Sequence, residues 1–278
     1  MYIFKNLNNT APEIIFEAFI QSFSHYYIPI TKDFNLHYNR WINSGVNFNL
    51  SFGAFKNDKL VAFILHAPRE DYVFNLATGV IPSEQGKHLI DQIYEFALPI
   101  LKELNFKQLG LEVITQNTKA IRVYERLGFI KKRELLCFKG KVSLQEFKSD
   151  NNYQIGPVQI NEHIHSLFNQ TCTFEQDENV LLQNQNVLEL HQIKRNEEVL
   201  AYAVYNPKAI SLIQFGFRDT QKQGEELLSL MKLNNELITI NNIDRNNLRL
   251  IHFFSYLGLE NYISQYEMKM DFTPLPCS

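Results

Sequence analysis

The sequence predicts an α/β (α+β) fold: a mixed, mostly antiparallel sheet flanked by helices and built twice along the chain. Three observations carry this. Short runs rich in β-branched and aromatic residues alternate with stretches whose apolar residues recur every three to four positions. The segment from Leu76 to Leu135 reads as strand, polar turn, helix, strand, and a short helix closed by Gly128. Finally, Asn247, Leu250, Ile251, Phe254, Leu257 and Gly258 repeat Asn117, Ala120, Ile121, Tyr124, Leu127 and Gly128 at a constant offset of 130, which argues for an internal duplication.

Taken in order, Thr10-Ala-Pro-Glu13 signals a helix start, with Thr10 as cap and Pro12 in the first turn. Ile14, Ile15, Ala18, Phe19 and Phe23 follow at helical spacing. A second helix is predicted from Thr31 to Ile42, set apart by Pro29. Phe48–Phe55 and Leu60–His66 read as paired strands hinged at Lys56-Asn-Asp-Lys59. Tyr72–Thr78 is the next strand, and a helix follows from Gly86 to Leu104, where Pro99 predicts a kink. Leu109–Ile114 is a strand. Asn117 then caps a short helix that Gly128 ends, and Glu134–Lys139 returns as a strand. The polar segment Lys148-Ser-Asp-Asn-Asn152 is the expected linker, giving domains at 1–148 and 152–278.

Composition narrows the function. With 45% hydrophobic and 21% charged residues, 22 Phe and 13 Tyr, the chain has material for a large core. The formal charge is −3 and the longest basic run is Lys131-Lys132-Arg133, which argues against nucleic acid or an anionic membrane as the main partner. Cys137, Cys172 and Cys277 form neither a disulfide framework nor a zinc spacing. The histidines, His163, His165 and His191 among them, show no ligand spacing, so no metal is expected. Without a signal peptide or an apolar run of about 20 residues, a cytoplasmic location is expected.

The chemistry points to the turn Val80-Ile-Pro-Ser-Glu-Gln-Gly-Lys-His88, because a helix start offers unpaired N–H groups and a partial positive charge to phosphate. Together with Asn117 and Tyr124-Glu-Arg-Leu-Gly-Phe129, this run resembles the coenzyme-binding core of the GCN5-related N-acetyltransferases (GNAT). The resemblance implies an acyl-CoA N-acyltransferase-like fold, acetyl-CoA as co-substrate and an amine acceptor, either a small molecule or a peptide. It assigns the phosphates to Gln85, Gly86, Lys87, His88, Leu89 and Ile90. Gln85 fits the family pattern, whereas His88 and Ile90 stand where the family has small residues, and His88 would either crowd the phosphates or face them. The pantetheine arm would pair with Ala77, Thr78, Gly79 and Val80 on a strand splayed from its neighbour. Asn117 would cap its helix and touch the same arm, and Tyr124 would protonate the leaving thiolate.

A neutral amine would attack the thioester directly. Glu112 is the first candidate to take its proton, with Glu70 and Asp71 next, while Cys137 has no His partner for an acyl-cysteine route. Acceptor specificity is expected from the first two helices and their loop, through Tyr26, Tyr27, Tyr38, Trp41, His25 and His37. The second half lacks the Val-Ile-Pro turn and has Phe254 for Tyr124, so it reads as a degenerate copy. The substituted loop leaves a second class open: a coenzyme-binding sensor or interaction module without turnover.

Overall fold

The computed structural model describes residues 1–144, 149–159, 164, 166–168, 170–196 and 198–272. His163, His165, Cys277 and the first residue of the expected linker, Lys148, lie outside these. Contacts divide the chain into unit 1, Met1–Lys132 with Glu267–Ser278, and unit 2, Arg133–Tyr266. The division therefore does not fall at 148–152. The strand expected to close the first half passes from unit 1 to unit 2 at Arg133, and the chain returns to unit 1 at Glu267.

Unit 1 is built on strands β1 (Ile3–Asn6), β2 (Phe52–Lys56), β3 (Lys59–Pro68), β4 (Tyr72–Val80) and β5 (Gln108–Ile114), in that spatial order. Beside β5 lies the end of the last strand, β12 (Glu260–Asp271). The pairs β1–β2, β2–β3 and β3–β4 are antiparallel, and β4–β5 is parallel. Leu60–Ala67 of β3 are buried without a break, as expected of a strand covered on both faces. Phe63 and His66 differ in parity and so point to opposite faces. Phe63 meets Phe19 of α1 (Pro12–Ser22), and His66 meets Tyr94 of α3 (Leu89–Glu103). Helix α2 (Phe34–Asn43) joins α1 through Trp41, whose ring lies 5.5 Å from that of Phe19.

Several local expectations are corrected. No side chain caps α1; its preceding residue is Ala11, and Pro12 in the first turn removes one of the donors a cap would serve. Helix α2 starts at Phe34 because Asp33 accepts from Leu36 N (3.0 Å) and fixes the start there. Strand β2 starts only at Phe52, since Leu7 N binds the carbonyls of Phe48 and Ser51 and holds those residues in a turn. Helix α3 starts at Leu89, after a 3₁₀ turn at Pro82–Glu84, and runs unbroken past Pro99. Asn117 and Gly128 do bound α4 (Thr118–Leu127): Asn117 Oδ1 accepts from Ala120 N (3.2 Å), and Gly128 takes φ +100°.

Unit 2 holds β6 (Ile130–Lys141, from Arg133 on), β7 (Asn152–Gly156), β8 (Glu189–Arg195), β9 (Glu198–Asn206), β10 (Ser211–Phe217) and β11 (Leu237–Asp244). Its helices are α5 (Glu178–Gln183), α6 (Thr220–Leu230) and α7 (Leu248–Tyr256). Its sheet is antiparallel in the registered pairs except for β10–β11. Its core gathers Phe138, Phe215, Phe217, Phe253 and Phe254. The duplication is visible in the backbone. Asn247 caps α7 at φ −83°, ψ 68°, against −80° and 62° at Asn117, and Gly258 follows at φ +89°.

His66 is fully buried. Its Nδ1 sits 2.6 Å from the Leu50 carbonyl, so Nδ1 carries the proton, and the buried Nε2 has no hydrogen-bond partner. Burial pulls its pKa down to about 4. Between pH 6.5 and 4 the unfolded chain therefore binds more protons than the folded one. The stabilisation is complete above the ordinary histidine value and falls as acid is added. Denaturant unfolding at pH 7 and pH 4 should differ by about 3 kcal/mol more in the wild type than in His66→Asn. Equal slopes would refute the assignment.

Candidate active site

The site arises from one extra residue in β4. Its register with β3 runs Leu65↔Ala77 and then His66↔Asn75, so Leu76 is a bulge. In a regular strand Asn75 and Thr78, three apart, would point to opposite faces. The bulge brings both to one face. There Asn75 Nδ2 donates to the Tyr94 hydroxyl (2.9 Å) and to Thr78 Oγ1 (2.7 Å), and Thr78 Oγ1 donates to Asn75 Oδ1 (3.0 Å). The hydroxyl of Tyr124, on α4, lies beside the same Thr78 and Asn75 side chains.

The bulge also marks where two strands part. Parallel pairing of β4 with β5 covers Tyr72↔Gln108 to Asn75↔Leu111 and stops there. Leu76–Val80 and Glu112–Ile114 continue as strands without pairing to each other. A cleft of about 510 Å³ occupies the region, within the size range of small-molecule sites. The residues that the resemblance assigns to the coenzyme and to the acid, together with the first candidate base, line it: Ala77, Thr78, Gly79 and Val80; Gln85 to Ile90; and Glu112, Asn117 and Tyr124.

At the outer end, Gly86 takes φ +78° and His88 φ +55°, so the turn enters α3 through two left-handed residues. Glycine meets such angles without strain, and histidine tolerates them better than most residues. His88 keeps the backbone path a glycine would take. Its side chain is 70% exposed and turns toward Asp91 (3.5 Å). Ile90 is buried, and both residues line the cleft. No side chain caps α3, which leaves the first-turn N–H groups that a helix cannot satisfy internally. Gln85 reaches back, its Nε2 donating to the Val80 carbonyl (3.3 Å).

The charges of the cleft are largely paired. Glu84 receives Lys87 (2.7 Å), the Tyr2 hydroxyl (2.5 Å) and Lys56 (3.0 Å), and these bonds, Lys87 first, pull its pKa down to about 2. Arg126 grips Asp91 with two bonds of 2.7 and 2.8 Å and lowers its pKa. The Asp91 carboxylate in the first turn of α3 is thus neutralised as a pair with Arg126. Burial pushes the Tyr124 phenol above its ordinary value, so it stays protonated.

Some expected residues lie elsewhere. Asp71 pairs with Lys107 (3.1 Å) at the far end of β4, and neither it nor Glu70 lines the cleft. Trp41 and His37 are buried against Phe19, and Tyr38 stacks on Phe34. His25 does not line the cleft, and Cys137 is buried in unit 2. Tyr26 does line the cleft, beside Asn117, and burial raises its pKa to about 12. Tyr27 donates to the Gln116 carbonyl (3.0 Å) and ties the α1–α2 loop to the segment just before α4.

Asn75 and Tyr94 were not singled out by the sequence reading. The available signal was a lone amide in the apolar run Val73-Phe-Asn-Leu76 and a hydroxyl on the buried stripe of α3.

Unit 2 repeats the frame but not the site. Its bulge is at Ile213, and its parallel pairing ends at Leu212↔Ile240. The start of α6, however, is capped by its own Asp219, which accepts from Lys222 N (3.0 Å). In place of a phenol, Phe254 is fully buried against Phe138, Phe215 and Phe253.

Residues 13–129 match the model of the acetyltransferase (GNAT) family. A putative acetyltransferase from Pyrococcus horikoshii is 13% identical, with a TM-score of 0.69 over 98% of this chain and 90% of its own. A tandem GNAT protein from the clavulanic acid biosynthesis pathway is 9% identical, with a TM-score of 0.68 over all of both chains. A GCN5-related N-acetyltransferase from Sphaerobacter thermophilus is 10% identical, with a TM-score of 0.66 over 97% and 95%. No curated protein matches the sequence. Residues 13–129 thus resemble the GNAT acetyltransferase family, and over its whole length the chain has the fold of the tandem GNAT protein.

Proposed function

We propose that unit 1 is an N-acetyltransferase that moves an acetyl group from acetyl-CoA to a primary amine. The observation that carries this reading is the parting of β4 from β5 at the Leu76 bulge, directly beside Tyr124. The free edge of β4 from Ala77 to Val80 suits an extended amide-bearing arm, which it would hold as a further strand. The uncapped start of α3, with Gly86, Lys87 and His88, suits phosphates. Acetyl-CoA supplies the activated acyl group. Backbone N–H groups of β4 would polarise its carbonyl as the amine nitrogen attacks. Glu112, half-buried on β5, would take the proton the amine loses. Tyr124 would give its proton to the departing sulfur, while Asn75 and Thr78 hold the hydroxyl in place.

His88→Asp tests the cradle. A carboxylate at a helix start favours the fold, yet it repels phosphates bound there. Calorimetry with acetyl-CoA is expected to show micromolar binding to the wild type, weakened about tenfold or more in the variant, with the thermal midpoint unchanged or raised. Equal affinity, or no binding by the wild type, would overturn the reading.

A further inference from the structure

We propose that a second groove beside the cleft receives the acceptor, and that the acceptor is a primary amine carried on an apolar aromatic or branched aliphatic body, not a polyamine. This rests on reading the cleft as the acetyl-CoA site. The groove, about 650 Å³, adjoins the cleft at Phe23 and Tyr26, which line both. Ile20, Ile28, Ile30 and Pro82 supply further apolar wall.

The two shared rings are held in place. Phe23 lies 4.6 Å from Phe19 and 4.8 Å, edge to face, from Tyr26, and the Tyr26 hydroxyl lies beside Asn117. They form an aromatic wall shared by groove and cleft.

Charge decides the class of amine. Among the described residues no carboxylate lines the groove, and the charged residue that does is a lysine, Lys32. In the cleft, Glu84 is held by Lys87, Tyr2 and Lys56, and Asp91 by Arg126, while Glu112 is the carboxylate already assigned to the attacking amine. A polycation would leave its further ammonium groups in the groove beside a positive charge with no carboxylate to meet them, a desolvation cost that nothing there returns. A neutral amine on an apolar body covers the isoleucines instead. An apolar groove also disfavours the ammonium form, which lacks the lone pair needed for attack.

Ile28 tests the proposal because it is 38% exposed, so the fold does not depend on it. Thiol release from acetyl-CoA would be followed with phenethylamine, isoamylamine, putrescine and spermidine, with acetyl-CoA affinity measured alongside by calorimetry. The wild type is expected to show kcat/KM for the two apolar amines at least about tenfold above the polyamines. Ile28→Asp is expected to cut the apolar-amine values about tenfold, to spare or raise those of the polyamines, and to leave acetyl-CoA affinity unchanged. Intact acetyl-CoA binding with a preference for polyamines, with no turnover of either apolar amine, or with unaltered selectivity in Ile28→Asp would overturn the acceptor class alone. Loss of acetyl-CoA binding by the wild type would overturn the cleft reading, and this proposal with it.

Discussion

Tyr124→Phe is expected to lower kcat by roughly 10²- to 10⁴-fold, the usual worth of a general acid, with acetyl-CoA affinity within about twofold of wild type. The ring stays, so its edge-to-face contact with Phe129 (5.6 Å) and its packing survive. What goes is the proton donor and its polar contact with Thr78 and Asn75. Asn75 keeps Thr78 and Tyr94 as partners, so the stability loss should be about 1 kcal/mol. The wild-type pH profile gives an independent check. An acid works only while protonated, so kcat falls as pH rises through its pKa. Burial places that pKa above the ordinary phenol value, so the alkaline limb should begin above about pH 10. Wild-type turnover in the variant would remove Tyr124 from the acid role while leaving the fold and the cleft unchanged.

Ending the chain after Tyr266 is expected to unfold unit 1 at 25 °C while unit 2 keeps all its residues. The lost segment carries Met268, fully buried, and Met270, 7% exposed. Truncating one buried methionine costs about 2–5 kcal/mol. Removing both reaches the roughly 5–15 kcal/mol that holds a whole domain. The Phe272 N–H bond to the Lys107 carbonyl (2.7 Å) and the Gln108 bond to Asp271 (2.5 Å) go as well. Limited proteolysis read by mass spectrometry should show new cuts confined to residues 1–132. Persistent protection there would mean that unit 1 stands without the strand.

Elements and motifs were legible where a local pattern suffices. The apolar stripe of α3, the Asn117 cap and the Gly128 stop are each read within one or two turns. The repeat at offset 130 reported a shared frame, because cap, buried face and left-handed stop must recur wherever that helix recurs. The cleft residues were legible for the same reason: the turn and α4 carry them in short runs. What stayed hidden depends on register. Nothing local in Asn75-Leu-Ala-Thr78 says that Leu76 is an extra residue, yet that residue alone turns Asn75 toward Tyr94 and Tyr124. The pairing of Tyr26 with Asn117 likewise joins segments about ninety residues apart. Tyr38 and Trp41 looked much like Tyr26 in sequence; only packing distinguishes a ring in the core from one on the cleft. The placement of β12 follows a path through both units that no single segment encodes.

That path has a consequence in time. A ribosome adding about 5–20 residues per second finishes Lys132 long before it reaches Asp271. For roughly 7–28 seconds the nascent first half carries Tyr124 and the turn at Gly86 to His88 but lacks the strand that belongs beside β5. Unit 2, whose residues are contiguous, can close first. Completion of the cleft-bearing unit thereby waits for the far end of β12, and a chain released before it would emerge with that unit unfinished.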